Sequence, residues 1–147
     1  MAKILAVASK GGHWVQLMRM KPAYSGHDVT YLSTDHRYGE QIGSPVIAVA
    51  DGNRQQKFLA LWMLIQVTAH VIRLRPDIVI TTGAAPGLAA IMAGRLFNAR
   101  TVWIDSLANA EKLSMCGRLA RYFSTTCVTQ WDHLGDGRNI HYWGAVL

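Results

Sequence analysis

A glycine-containing segment follows the first apolar run of the chain and precedes its first helical pattern. The apolar run is Lys3–Ala8, the segment is Ser9–His13 (SKGGH), and helical spacing of large apolar residues begins at Trp14. Glycines let the backbone approach a ligand, and a helix N-terminus offers unpaired N–H groups and a partial positive charge. This order predicts a site for a phosphorylated ligand. The residues assigned to it are Ser9, Lys10, Gly11 and Gly12.

His13 is the residue of this segment whose side chain could do acid–base chemistry. Imidazole exchanges protons near neutral pH, so a histidine at a helix start could act as a general base or donate a hydrogen bond to a phosphate. A structural alternative stays open, in which His13 only occupies the helix end and Gly11-Gly12 only turns the chain. We take His13 as the candidate catalytic residue.

Three further groups of residues stand at the carboxyl ends of predicted strands. They are Thr82-Gly83, which opens the small-residue stretch Thr82–Gly87, then Asp105-Ser106, and Gln130-Trp131. Ligands of parallel sheets bind beyond the carboxyl ends of the strands, so these groups are expected at one edge with Ser9–His13. Each has a structural alternative: close strand–helix packing at Thr82–Gly87, loop orientation by Asp105, and a half-buried aromatic ring at Trp131.

The common nucleotide-binding and hydrolase motifs are not present. Gly11-Gly12-His13 is not GxGxxG, and Asp35 is the nearest acidic residue that could bind a ribose, so a nicotinamide enzyme is weakly supported. Thr82–Gly87 lacks the Lys and Ser/Thr of a P-loop, and the chain has no GxSxG. No cofactor is therefore expected.

The composition favours a folded domain with reduced cysteines. Its 147 residues suit one domain, residues 1–147, and half of them are hydrophobic. Cys116 and Cys127 are not in CxxC spacing and no His/Cys cluster accompanies them, so neither a disulfide scaffold nor a metal site is expected. The chain enters a strand directly, so no signal peptide is expected.

The net charge of +6 and the pI near 9.7 favour acidic partners, although a surplus of solvated Arg and Lys explains them equally well. No basic stripe with interleaved aromatic residues supports nucleic-acid binding. The most apolar run, Phe58–Ile72, is shorter than the roughly 20 residues of a spanning helix. Gln66, Thr68 and His70 interrupt it, which favours a buried or interface-lying helix.

Alternating strands and helices predict a Rossmann-like parallel sheet with helices on both faces and right-handed crossovers. The predicted strands are Lys3–Ala8, Asp28–Ser33, Val46–Ala50, Asp77–Thr81, Thr101–Asp105 and Thr126–Gln130. The predicted helices are Gly12–Lys21, ended by Pro22, then Arg54–Leu74, Leu88–Phe97 and Cys116–Phe123. The polar stretch Thr34–Ser44 is expected to be a loop.

An ordered set of short motifs resembles a known family. The motifs are Ser9-x-Gly11-Gly12-His13, Arg75-Pro76-Asp77 leading to Thr82-Gly83, Asp105-Ser106, Leu113-Ser114-x-x-Gly117-Arg118-Leu119, Gln130-Trp131 and Tyr142-x-Gly144. The chain resembles the anchor subunit of the split eukaryotic transferase that adds the second N-acetylglucosamine to dolichol-pyrophosphate-GlcNAc. It is closer still to bacterial relatives in exopolysaccharide and capsule assembly. The family is similar to the N-terminal half of a GT-B glycosyltransferase such as MurG.

The resemblance implies a division of labour between two chains. A separate subunit, equivalent to a GT-B C-terminal half, would hold most of the UDP-sugar donor, and this chain would bind the polyprenyl-pyrophosphate-linked acceptor. Ser9–Gly12, Thr82, Gly83, Asp105 and Ser106 would face the acceptor, with His13 as base or orienter. The partner is expected to contact the C-terminal region Trp131–Leu147, because a GT-B enzyme crosses to its second domain there. The residues assigned to this interface are Gln130, Trp131, Tyr142 and Trp143.

The resemblance has departures, which bear on location and mechanism. Many relatives have Glu at the position of Asp105 and Pro at that of Asp132. The spanning helix of the eukaryotic anchor has no counterpart here, so peripheral contact with the cytoplasmic face of the membrane is expected. Phe58–Ile72, flanked by basic residues, is the candidate surface. Those basic residues are Arg54, Lys57, Arg73 and Arg75.

Two other classes remain alternatives. One is a purely structural recruiter of the catalytic subunit, and the other is a stand-alone nucleotide-binding α/β module.

Overall fold

A computed structural model describes residues 1–53 and 55–146 and places seven parallel strands in one sheet. The strands are β1 (Lys3–Ala8), β2 (Asp28–Ser33), β3 (Val46–Ala48), β4 (Ile78–Thr81), β5 (Arg100–Ile104), β6 (Thr126–Thr129) and β7 (Ile140–Tyr142). Their order in the sheet is β3-β2-β1-β4-β5-β6-β7. This is the Rossmann order with one strand added, and the predicted fold class is confirmed.

Helices cover both faces of the sheet. They are α1 (Gly12–Arg19), α2 (Lys21–Tyr24), α3 (Tyr38–Ile42), α4 (Lys57–Leu74), α5 (Ala84–Leu96) and α6 (Met115–Phe123), with a 3₁₀ turn at Asp132–Leu134. Alternate residues of β1 divide between two cores. Leu5 and Val7 pack with α4 and α5, whereas Ala6 and Ala8 pack with Trp14 and Leu17 of α1. Both faces of β1 are therefore buried, which explains its continuous apolar sequence.

Strands β1 and β4 are neighbours in the sheet, with Val7 paired to Thr81. From β1 the sheet is built outward through β2 and β3, and from β4 it is built in the opposite direction through β5, β6 and β7. Such a switch point opens a crevice at the carboxyl ends of the two strands. The segments that leave these ends are Ser9–His13 and Thr82-Gly83. Sheet topology therefore brings together the two segments that the sequence proposes as a site.

Helix α5 lies directly against the sheet because two of its glycines remove side chains from the contact. A Cβ at Gly87 would collide with the side chain of Thr81, and one at Gly94 would lie 2.8 Å from Cγ2 of Val79. Gly87 therefore allows close packing of α5 on the sheet, which is the structural alternative to contact with a ligand.

Four details of the predicted secondary structure are wrong. Helix α1 ends at Arg19, and Pro22 lies in the first turn of α2, where its missing N–H is not needed. The supposed loop Thr34–Ser44 contains α3, which ends at a left-handed Gly43. Helix α5 begins at Ala84 rather than Leu88, because Gly83 turns the chain straight into it. Strand β7 was not predicted.

Helix α4 is apolar and mostly exposed. It begins at Lys57, and Arg54, where the predicted helix began, lies outside the described residues. Among the described residues it is the one helix with the length and composition of a membrane-crossing segment, with a mean hydropathy of 1.3 over 18 residues, of which 17% are buried. Only Met63, Val67 and Val71 are fully covered. The helix ends at Leu74. The residue that follows, Arg75, has a left-handed φ of 45° and precedes Pro76.

Candidate active site at the junction of β1 and β4

The glycine segment turns sharply from β1 into α1. Gly11 has a φ of 85°, a conformation that favours glycine, and it precedes the first residue of the helix. Trp14 and Leu17 are buried against β1 and fix the direction of the helix. The Trp14 ring also stacks on Tyr38, with 4.4 Å between ring centroids. The start of α1 is thus held by packing on both β1 and α3.

Not every backbone amide of this turn is available to a ligand. The Lys10 N–H donates to Oγ1 of Thr34 at 3.0 Å, and the Gly11 N–H donates to the Tyr38 hydroxyl at 2.8 Å. Gly12 and His13 begin α1, so their N–H groups lie in the first turn, where a helix has no carbonyl to bind them. An anion at this helix end would therefore meet Gly12 and His13 rather than Gly11.

The Lys10 side chain is paired within the chain. Its Nζ lies 2.7 Å from Oδ2 of Asp51, and both side chains are about half exposed. By accepting a hydrogen bond from Nζ, and by its charge, Asp51 raises the pKa of Lys10 above its ordinary value. Lys10 therefore keeps its positive charge beside the loop, but Asp51 offsets that charge locally.

His13 is joined to the β4 loop through two hydrogen bonds. Its Nδ1 lies 2.9 Å from the carbonyl oxygen of Thr82, and Oγ1 of Thr82 donates to the His13 carbonyl at 2.6 Å. Thr82 is fully buried, as is Gly83, while His13 is half-buried. The prediction placed these residues in one site, and the structure brings them into direct contact. Ser9 lies half-buried at the end of β1.

Asp105 lies at the end of β5 with a buried side chain that holds the following loop. Its carboxylate accepts hydrogen bonds from Nε1 of Trp103 at 3.0 Å, and from the backbone N–H and hydroxyl of Ser114 at 2.8 and 2.6 Å. A Cβ at Gly117 would collide with it. This arrangement favours the loop-orienting role of Asp105 over contact with a sugar.

Gln16 connects α1 to the ends of β5 and β6. Its Nε2 donates to Oγ of Ser106 at 3.0 Å, and its Oε1 accepts from Nε2 of Gln130 at 2.6 Å. Gln130 in turn accepts the N–H of Val146 at 2.8 Å. Ser106 and Gln130 are buried, so their side chains stabilise the loops that follow β5 and β6. Gln16 thus links α1 to the C-terminal segment.

The aromatic residues predicted to meet a partner differ in exposure. Trp131 is half-buried and donates from Nε1 to the Leu107 carbonyl at 2.8 Å. Tyr142 and Trp143 are 43% and 69% exposed at the sheet edge formed by β7. Within residues 1–53 and 55–146, no hydrogen bond or ring contact joins them to His13 or Thr82. Leu147, the last residue of the predicted interface region, lies outside the described residues.

Several residues around the site were not assigned to it from the sequence, although Ser114 stands in one of the motifs that carry the resemblance. They are Gln16, Thr34, Tyr38, Asp51 and Ser114. One signal could have found two of them: β2 neighbours β1 in a Rossmann order, so residues that follow β2 lie beside the loop that follows β1. Thr34 and Tyr38 are in that position. Ser114 is an N-cap residue whose hydroxyl also accepts from Gly117.

The geometry supports binding and proton transfer by groups of the chain itself. Among residues 1–53 and 55–146, no group of three or more His, Cys, Asp or Glu side chains is placed to hold a metal ion. The site offers the first-turn amides of α1 and an imidazole whose Nδ1 is engaged by a carbonyl. It can bind an anion at the helix end and accept a proton at the remaining imidazole nitrogen.

Solved structures share this fold. MurG from Acinetobacter baumannii matches with a TM-score of 0.78 and 13% identity, over 97% of this chain and 45% of that one. UDP-N-acetylglucosamine 2-epimerase from Rickettsia bellii matches with a TM-score of 0.72 and 13% identity, over 99% of this chain and 45% of that one. The chain thus spans less than half the length of these proteins, which is consistent with the expected likeness to half of a GT-B enzyme.

Curated relatives match over most of the chain. The human UDP-N-acetylglucosamine transferase subunit ALG14 is 24% identical, over 90% of this chain and 77% of the human protein. The ALG14 subunit of Eremothecium gossypii is 30% identical, over 49% of this chain and 35% of that protein. A family model described as "Oligosaccharide biosynthesis protein Alg14 like" matches residues 48–146, from β3 to the C-terminal segment. This chain therefore belongs to the Alg14-like family of oligosaccharide biosynthesis proteins.

Proposed function

We propose that this chain, as a single domain, is the acceptor-binding subunit of a two-chain glycosyltransferase. The enzyme would transfer a sugar from a UDP-sugar to a polyprenyl-pyrophosphate-linked saccharide in exopolysaccharide, capsule or glycolipid synthesis. The observation that carries the proposal is His13, fixed on Thr82 at the sheet's switch point. The curated relatives are named as UDP-N-acetylglucosamine transferase subunits, which supports the same class of reaction.

The acceptor pyrophosphate is assigned to the N-terminus of α1. The first-turn N–H groups of Gly12 and His13 and the partial positive charge of the helix end favour an anion there. Gly11 contributes the turn rather than its amide, because Tyr38 already accepts that N–H. Lys10 adds positive charge at the rim, partly offset by Asp51.

In the transfer step, the acceptor hydroxyl attacks the anomeric carbon of the donor sugar. The hydroxyl proton passes to His13, the new bond forms from the hydroxyl oxygen, and the bond to the phosphate oxygen breaks. The nucleoside diphosphate leaves with that electron pair. Thr82 and Gly83 position the imidazole of His13 and do not contact the sugar in this proposal.

The donor is assigned mainly to a separate catalytic chain. The exposed side chains of Tyr142 and Trp143 are the best candidates for contact with that partner, since large exposed aromatic residues are typical interface anchors. Gln130 would act indirectly, because its buried amide holds the Val146 N–H of the C-terminal segment. This assignment predicts that neither chain completes the active site alone.

The first prediction concerns this division of labour. The chain by itself should give no transfer from any UDP-sugar to a polyprenyl-pyrophosphate-linked acceptor, because the donor is assigned to the partner chain. Addition of the partner chain should restore transfer, measured with a radiolabelled donor. Robust transfer by the isolated chain would overturn the two-chain proposal. Activity that survives substitutions around His13, but not at Tyr142 and Trp143, would favour a purely structural recruiter.

We also propose that the exposed face of α4 lies on the cytoplasmic surface of the membrane. Phe58, Leu61, Trp62 and Ile65 recur at helical spacing and are 91%, 54%, 54% and 50% exposed. We call these four residues the α4 stripe. Lys57, Arg73 and Arg75 lie at the ends of the helix and favour anionic headgroups. Arg54, predicted to flank this surface, lies outside the described residues.

The second prediction tests the α4 stripe. The double variant Leu61→Glu with Ile65→Glu should lower partitioning onto vesicles containing anionic phospholipid by about 100-fold, because two apolar side chains could no longer be buried in the interface. The measurement is co-sedimentation over a range of salt concentrations. Gln41→Glu with Asn139→Asp adds the same charge at exposed positions off the stripe, and should reduce binding far less.

Two outcomes would contradict this surface. Equal vesicle binding by both double variants would remove the α4 stripe from the membrane contact. Concentration-dependent dimers that only the stripe substitutions abolish, with no vesicle binding by the unmodified chain, would assign the stripe to a second copy of the chain.

A further inference from the structure

The hydrogen bond between His13 and Thr82 determines which imidazole nitrogen carries the proton. A backbone carbonyl oxygen can only accept, so the contact of 2.9 Å requires a proton on Nδ1. In a neutral imidazole one ring nitrogen is a donor and the other an acceptor. Nε2 is then the nitrogen with the free lone pair, and no hydrogen bond to it is recorded from the described part of the chain.

Gly83 provides the space in which the ring adopts this orientation. A Cβ at Gly83 would lie 2.9 Å from both Nδ1 and Cε1 of His13. The buried Trp103 ring lies 3.8 Å from the same Cβ position, in van der Waals contact. The φ of Gly83 is 127°, which side chains with a Cβ rarely adopt. Any larger residue would push the imidazole away from the Thr82 carbonyl.

We infer that the Thr82 carbonyl and Gly83 are positioning elements that hold His13 as the Nδ1–H tautomer, so that Nε2 is the atom that receives the acceptor proton. This inference rests on the proposed function for its catalytic meaning. During transfer the hydroxyl proton moves to Nε2, and His13 becomes an imidazolium with protons on both nitrogens. The Thr82 carbonyl stabilises this cation, because the existing hydrogen bond becomes charge-assisted.

The tautomer can be measured on the chain alone. In long-range ¹H–¹⁵N spectra of ¹⁵N-labelled protein, recorded where the histidines are neutral, His13 should give the Nδ1–H pattern, assigned by the loss of its signals in His13→Gln. Because neither partner nor substrate is needed, this measurement does not depend on the proposed function. A spectrum of the Nε2–H tautomer for His13 would overturn the inference.

The variant Gly83→Ala tests the positioning role in the reconstituted enzyme. We expect kcat to fall about 10- to 100-fold with little change in the KM of the acceptor, because a small displacement of a reacting group costs this much. The His13 signals should also lose the Nδ1–H pattern. Gly26→Ala is the matched control, since Gly26 also has a positive φ, of 86°, while a Cβ there would meet nothing within 4 Å.

The possible results separate the inference from the proposed function. A folded Gly83→Ala chain with unchanged kcat and an unchanged Nδ1–H pattern would overturn the positioning role. If Gly83→Ala does not fold, the spectrum of the unmodified chain still decides the tautomer. Full turnover by a His13→Ala enzyme, together with an Nδ1–H pattern in the unmodified chain, would remove the catalytic role and leave the tautomer assignment intact.

Discussion

The substitution His13→Ala is expected to lower sugar transfer by roughly 10²- to 10⁴-fold in the reconstituted two-chain enzyme, the usual loss when a general base is removed. The imidazole can accept a proton at the switch point, whereas its neighbours Thr82 and Gly83 have no basic side chain. The side chain of His13 is only half-buried, so its loss should leave the fold intact. The measurement is the single-turnover rate with saturating UDP-sugar and lipid-linked acceptor.

The control for this variant is His27→Ala. His27 is exposed just before the amino end of β2, whereas His13 lies at the carboxyl ends of the strands. Its Nδ1 accepts a hydrogen bond from the N–H of Ala2. Turnover should be nearly unchanged in this control, and partner binding should be unchanged in both variants. Equal turnover of His13→Ala and the unmodified enzyme would contradict the catalytic role. Loss of partner binding in His13→Ala would show that the residue acts through assembly.

The substitution Asp105→Asn is expected to destabilise the fold by about 3 kcal/mol, since hydrogen bonds to a charged group are stronger than neutral ones and unpaired buried donors carry a large penalty. The carboxylate accepts from Trp103 and from two donors of Ser114. An amide would turn its NH₂ group toward one of these donors. Asp105→Glu should also destabilise, because Gly117 packs against the carboxylate and leaves no room for another methylene.

Urea unfolding followed by tryptophan fluorescence measures this effect. Asp28→Asn is the matched control, because Asp28 is exposed at the start of β2, and its unfolding free energy should change by less than about 0.5 kcal/mol. An Asp105→Asn chain as stable as this control, yet inactive in the reconstituted enzyme, would return Asp105 to the group of residues that touch the substrate.

Two neighbouring strands of the sheet, β1 and β2, could be predicted closely from the sequence. Their bounds agree with the prediction, since β1 is an apolar run that stops at Ser9, and β2 is rich in β-branched and aromatic residues and stops before the polar pair Thr34-Asp35. Strand β7 was missed because it is three residues long with His141 at its centre, and it forms by pairing with β6. Helix α3 was missed because its sequence is polar and contains Gly39; stacking of Tyr38 on Trp14 stabilises it.

The site was predictable in location but not in detail. Strand order alone places Ser9–His13 beside Thr82-Gly83. The sequence could not show that Asp51 pairs with Lys10, because 41 positions separate them along the chain and folding alone joins them. For the same reason it could not show that Tyr38 occupies the Gly11 amide, or that the Asp105 side chain is buried.

The two edge strands of the sheet, β3 and β7, are each three residues long. Short edge strands expose few unpaired backbone groups, so they are poor templates for the addition of a strand from another chain or for fibril growth. The surface of this protein most prone to aggregation is therefore the α4 stripe and not the edge strands. A purified preparation lacking lipid should consequently be kept dispersed by mild detergent, whereas peptides that pair with the edge strands should have no effect.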